Sequence, residues 1–110
     1  MSSPIPYSAD APTRGEVDSR AGMVLLDFGT NWCGHCQAAQ QPLYEALAAH
    51  PGLEHVRVED GPGRPLGRSY RVKLWPTLIL LRDGHEVARL VRPTETLAVA
   101  NWLASGLAGH

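Results

Sequence analysis

Between Met23 and Glu59 the apolar pattern changes period twice, and that alternation restricts the fold more than any other feature of the chain. Met23-Val24-Leu25-Leu26-Asp27-Phe28 is a nearly unbroken apolar run, the pattern of a strand covered on both faces. From about Gly34 to His50 the composition turns helical, with Leu43 and Leu47 one turn apart and Pro51-Gly52 as the stop. Pro42 inside this segment is expected to kink it. His55-Val56-Arg57-Val58-Glu59 then alternates as a second strand. Strand, helix and strand within about 35 residues make a βαβ unit, whose strands run parallel through a right-handed crossover.

The second half of the chain has a different period. Thr77–Leu81, the turn Arg82-Asp83-Gly84-His85 and Glu86–Val91 read as an antiparallel hairpin, the Asp-Gly pair supplying the positive φ. After Pro93-Thr94-Glu95 a closing helix is expected to run to about Leu107, with Leu97, Ala100, Leu103 and Leu107 at helical spacing. Shorter elements are expected as a strand over Ile5–Tyr7, a helix over Thr13–Arg20 and another over Ser69–Lys73. Gly61-Pro62-Gly63-Arg64-Pro65 reads as a loop, too short for a domain linker. The fold class is therefore α/β: a mixed central β-sheet, parallel βαβ followed by antiparallel hairpin, flanked by helices on both faces. A chain of 110 residues suits one core, so residues 1–110 are expected to form a single domain.

Charge excludes several partners. Ten basic and 11 acidic residues leave a net charge of -1, with no basic footprint for nucleic acid and no polybasic membrane patch. No window approaches the roughly 18 apolar residues of a membrane helix. The start Met1-Ser2-Ser3-Pro4-Ile5-Pro6-Tyr7 has neither the positive nor the apolar region of a secretory signal, so cytoplasmic residence is expected, with the chain acting as a monomer.

The chemistry concentrates in Thr30-Asn31-Trp32-Cys33-Gly34-His35-Cys36-Gln37, which holds both cysteines. A bridge closing so short a loop constrains little of the unfolded chain, so the pair is not there as a staple. A metal site would need further ligands at zinc spacing, and haem attachment would need His where Gln37 stands. No metal and no cofactor is implied. Placement strengthens the redox alternative: the first cysteine meets the free N–H groups and positive dipole end of a helix, which favour a thiolate. Cys33 is then a nucleophile, and Cys36, one turn on, can close a disulfide with it. His50, His55, His85 and His110 share no spacing and are expected at the surface.

Trp32-Cys33-Gly34-His35-Cys36 resembles the active site of the thioredoxin superfamily, and three further features match that family in order. Asp27 resembles the buried aspartate that assists proton transfer at the second cysteine; burial in an apolar strand would favour its neutral form. Trp75-Pro76-Thr77 resembles the element whose proline is cis and faces the disulfide, which would leave the Trp75 backbone free to pair with an extended substrate. The strand, Asp-Gly turn, strand and terminal helix follow in the family's order. The resemblance implies a thioredoxin fold over essentially the whole chain and a thiol–disulfide oxidoreductase with catalytic Cys33, Cys36, Asp27 and His35. It places Trp32, Gly34, Trp75, Pro76 and Thr77 against the substrate, a protein disulfide, with electrons from a thioredoxin reductase or a glutathione system.

The chain also departs from the family. His35 replaces the usual proline and gives the Cys-Gly-His-Cys of protein disulfide isomerases. Reduction potentials run from about -270 mV for thioredoxin to about -180 mV for the isomerase, so His35 implies a milder reductant. Arg57 occupies the position of a lysine beside the aspartate, and it cannot serve as a neutral proton partner. Arg92-Pro93 stands about where the family places a glycine. Disulfide reduction leads; oxidation or isomerisation, and a partner-binding module with a redox-sensing pair, are the alternatives.

Overall fold

The computed structural model describes residues 5–108. Its elements follow in the order α1 (Arg14–Asp18), β1 (Met23–Gly29), α2 (Gly34–Leu47), β2 (Glu54–Glu59), α3 (Pro65–Ser69), β3 (Thr77–Arg82), β4 (His85–Val91) and α4 (Thr96–Leu107). They build a four-stranded sheet of order β2-β1-β3-β4. β1 runs parallel to β2 and antiparallel to β3, which pairs antiparallel with β4. This is the mixed α/β architecture expected from the change of apolar period.

Successive side chains of a strand point to opposite faces, and β1 sorts its residues accordingly. Val24, Leu26 and Phe28 join Val58, Ile79 and Leu81, and are covered by Val17 of α1 with Leu66 and Tyr70 at α3. Leu25 joins Leu78 and Leu80 on the other face, under Leu43 and Ala46 of α2 and Val99 and Leu103 of α4. Burying each such side chain stabilises the fold by about 1.5–3 kcal/mol. Asp27 falls by the same alternation on the face of α2, opposite Arg57 on β2 and Leu78 on β3.

The β3–β4 turn takes the form its Asp-Gly pair dictates, with φ of 50° at Asp83 and 83° at Gly84. A Cβ at position 84 would stand 2.1 Å from the Asp18 carbonyl oxygen, so the turn packs on the end of α1 only because Gly84 has none.

Five expectations are corrected. The short helix expected over Ser69–Lys73 lies earlier, at Pro65–Ser69, because Pro65 starts it and Arg71, at φ 58°, cannot continue it. The helix expected over Thr13–Arg20 is confined to Arg14–Asp18, Thr13 and Glu16 forming a reciprocal capping box. The strand expected over Ile5–Tyr7 reduces to one bridge between Ser8 and Val58. Pro6 has no N–H for a ladder, and the Asn31 side chain holds the segment instead: it accepts from Tyr7 N at 2.8 Å and donates to Tyr7 O at 3.2 Å. In α4 the buried stripe is Val99, Leu103 and Gly106, which turns Leu97 outward at 69% exposure. Helix α2 continues through Pro42 to Leu47, ending short of His50. His110 lies outside the described residues.

Candidate active site

β1 ends at Gly29 and α2 begins at Gly34, so the chain between them delivers Cys33 to the N-cap of α2. An N-cap side chain faces the unpaired N–H groups of the first turn. Here the side chain is a thiol, and it closes no cap hydrogen bond. Burial would by itself raise the Cys33 thiol; against it act the polar groups of the Cys36 backbone and side chain and of the His35 backbone, aided by the charge of Arg92. The outcome is a thiol held below its usual range. Cys36 lies one turn deeper, 1% exposed. Burial pushes it up to about 11, the adjoining Cys33 adding to the rise, while hydrogen bonds from the Thr30 backbone and the Tyr7 side chain oppose it. Both cysteines are free thiols.

Beneath Cys36 lies Asp27, fully buried. Its surroundings are not the apolar ones the strand pattern suggests. Tyr7 donates its hydroxyl to Asp27 Oδ1 at 2.7 Å. Arg57 Nε donates to Oδ2 at 3.0 Å, and His55 Nε2 stands 3.0 Å from the same oxygen. Arg57 thus stands beside the aspartate, and its guanidinium also lies 3.9 Å over the Tyr7 ring. His55, expected at the surface, turns inward against Asp27 and the ring of Tyr44. Tyr7 and His55 belong to no motif. The signal that could have found His55 is its parallel register two residues before Arg57; Tyr7 has none.

At the mouth, Trp32 is 73% exposed and meets Trp75 edge to face, with ring centroids 5.8 Å apart. Trp75 packs against the cluster of Tyr7, Cys33 and Cys36, and its Nε1 donates to Asp60 Oδ2 at 2.8 Å. The Trp75–Pro76 bond is cis. Pro76 and Thr77 are buried, while Gly34 and His35 are exposed at the start of α2. The expectation of a free Trp75 backbone is corrected in part: Arg92 Nε donates to the Trp75 carbonyl at 2.9 Å, and Arg92 N donates to the Pro76 carbonyl at 3.0 Å. Arg92 reaches them with φ at 52°, a conformation glycine adopts without strain. Among the described residues no group of three or more His, Cys, Asp or Glu is placed to hold a metal ion. No helix there is long and apolar enough to cross a membrane.

Two free thiols of opposed acidity at a helix start, on a mixed sheet, are the working parts of a dithiol–disulfide exchange protein. Comparison with known proteins gives the family. The family profile described as Thioredoxin matches residues 8–105. A thioredoxin of Chlamydia pneumoniae is 44% identical over 75 residues, covering 64% of this chain and 70% of its own. Protein disulfide-isomerase A2 of Pongo abelii is 35% identical over 86 residues, covering 73% of this chain and 16% of that one. The structure of thioredoxin 2 from Pseudomonas aeruginosa PAO1 in its reduced form is 54% identical, with a TM-score of 0.86 over 94% of this chain and 95% of that one. The chain belongs to the thioredoxin family. It is a thiol–disulfide oxidoreductase with the thioredoxin fold.

Proposed function

We propose that the chain, as a single domain over residues 1–110, reduces disulfides in protein substrates, with Cys33 as nucleophile and Cys36 as resolving thiol. The observation that carries this division is the opposed acidity of the two sulfurs: Cys33 held below its usual range, Cys36 pushed up to about 11. Of the two sulfurs the more accessible one ionises first. Its thiolate attacks one sulfur of the substrate disulfide and forms a mixed disulfide, and the other substrate sulfur leaves as a thiolate. Cys36 then loses its proton toward Asp27 and attacks Cys33 Sγ, which releases the second substrate thiolate and leaves a Cys33–Cys36 disulfide. Electrons that restore the dithiol come from a thioredoxin reductase or a glutathione system, by analogy with the family.

Trp32, Gly34, Trp75, Pro76 and Thr77 form the substrate side. Trp32 offers an exposed aromatic face for the polypeptide that flanks the target disulfide. Arg92 takes one acceptor position of the Trp75 carbonyl, so a client pairing through that carbonyl shares it with the guanidinium. His35 is assigned the isomerase-type role: exposed between the two cysteines at the start of α2, it favours the reduced form and makes the pair more oxidising. That single residue favours oxidation or isomerisation as the second reading. Cytoplasmic residence, a monomeric state, and no nucleic-acid or membrane partner accompany the proposal.

Insulin reduction driven by dithiothreitol tests it. Acceleration that falls to the uncatalysed background in Cys33→Ser, with Cys36→Ser retaining substrate as a mixed disulfide, is the expected result. Wild-type protein that gives no acceleration would leave the fold as a binding module.

A further inference from the structure

The redox pair and the buried carboxylate are not in direct hydrogen-bond contact. Asp27 spends its oxygens on Tyr7, Arg57 and His55, and the side chain standing between it and Cys36 is Tyr7. The Tyr7 ring packs in one cluster with Cys33 and Cys36, 5% exposed. A Cβ built on Gly29 would lie 2.5 Å from Cys36 Sγ and 2.8 Å from the Tyr7 hydroxyl, so Gly29 is what allows sulfur and hydroxyl to converge. The space bounded by Tyr7, Asp27, Cys36, Arg57 and Pro76 is too tight for a water molecule. A proton leaving Cys36 for Asp27 has no solvent bridge and meets one hydroxyl.

We infer that Tyr7 is the proton relay between Cys36 and Asp27, a catalytic residue that no motif of the chain contains. The inference rests on the reading of Asp27 as proton acceptor. In the mixed disulfide the Cys36 S–H proton passes to the Tyr7 oxygen as the Tyr7 hydroxyl proton passes to Asp27 Oδ1. The sulfur electron pair of Cys36 forms the bond to Cys33 Sγ, and the Cys33–substrate bond breaks with its electrons on the substrate sulfur, which water protonates. Cys36 is oxidised with Cys33 and the substrate is reduced. Tyr7 begins and ends protonated, in keeping with burial and the Asp27 charge, which push its pKa far above the ordinary tyrosine value despite Arg57. Three neighbours with titratable or charged groups face this path: Asp27 at the receiving end, permanently cationic Arg57, and His55, whose side chain is 12% exposed and beside Asp27 Oδ2. His55 is the point where the proton can reach solvent. Asn31 sets the relay by clamping the Tyr7 backbone from both sides.

The test is single-turnover release of a peptide thiol from its mixed disulfide with Cys33, followed from pH 6 to pH 10. Tyr7→Phe keeps the ring and removes the hydroxyl. Release should slow about 10- to 100-fold at neutral pH, and the deficit should narrow as rising pH ionises Cys36 directly. In an Asp27→Asn background Tyr7→Phe should add little, since both act on one transfer. Unimpaired release by Tyr7→Phe, or losses that multiply in the double variant, would overturn the relay; an Asp27→Asn protein that releases at the wild-type rate would overturn the reading of Asp27 beneath it. Wild-type protein gives a second readout if Tyr7→Phe fails to fold. Two protons in flight make the release rate a curved function of the deuterium fraction of the solvent, and a straight line would remove Tyr7 from the path.

Discussion

Cys33 and Cys36 share the first turn of α2, yet they occupy opposite electrostatic regions. Cys33 stands at the mouth, 9% exposed, with N–H groups aimed at it and Arg92 nearby. Cys36 stands one turn below, 1% exposed, among Tyr7, Ala39 and Leu43 and above a carboxylate that already holds three donors. The upper region is built of backbone N–H groups and the Trp32–Trp75 aromatic pair. The lower one is a closed set of charges whose partners are all fixed. The difference teaches that depth along a helix start, rather than the identity of the side chain, separates an attacking thiol from a resolving one.

The largest effect should come from breaking the lower region. Arg57→Met removes the buried guanidinium and leaves Asp27 without its cation, which should cost about 3–5 kcal/mol of stability, read from the denaturant midpoint. Asp27→Leu in the same chain should recover most of that loss, because the pair then leaves together. Next comes the separation of the thiols. Iodoacetamide should label Cys33 of reduced protein with a half-maximal pH below the usual 9.0, while Cys36 in Cys33→Ser resists until high pH, because burial alone persists there when the Cys33 charge is gone. The sign is set by the charged form: lowering favours thiolate and raising favours thiol, so the window between the two values holds one nucleophile. A single labelling midpoint for both residues would erase the comparison.

Smaller changes sharpen the upper region. His35→Pro should shift the reduction potential against glutathione by about 30 mV toward the reducing side, near tenfold in the equilibrium. A shift in the other direction would contradict the role given to His35. Trp32→Ala removes the exposed ring and its edge contact with Trp75, worth about 1 kcal/mol. It should raise KM for a protein disulfide a few-fold with little change in folding midpoint, and an unchanged KM would move the client contact elsewhere.

Much of the molecule is legible in local pattern. The βαβ unit, the Asp-Gly hairpin and α4 follow from apolar period and turn chemistry, which act over a few neighbouring residues. The cysteine spacing and the helix start beside it place the reactive sulfur. The boundaries at Pro65 and Arg71 escape that pattern because the signal for a helix over Ser69–Lys73 is weak, whereas a proline start and a positive φ are decided by backbone sterics. The N-terminal segment escapes it for a different reason. Its partners are Asn31, Asp27 and Arg57, from 20 to 52 residues away in the chain.

Period, turn residues and the Cys-Gly-His-Cys spacing by themselves determined an α/β chain with a redox pair at the head of a helix, since each rests on contacts along the chain. Only the tertiary structure decided what surrounds Asp27, which sulfur is shielded and what Arg92 grips. Those depend on burial and on charges brought together from β1, β2 and the segment before α1, and Coulomb and desolvation energies are set by distance in space, to which sequence separation is no guide.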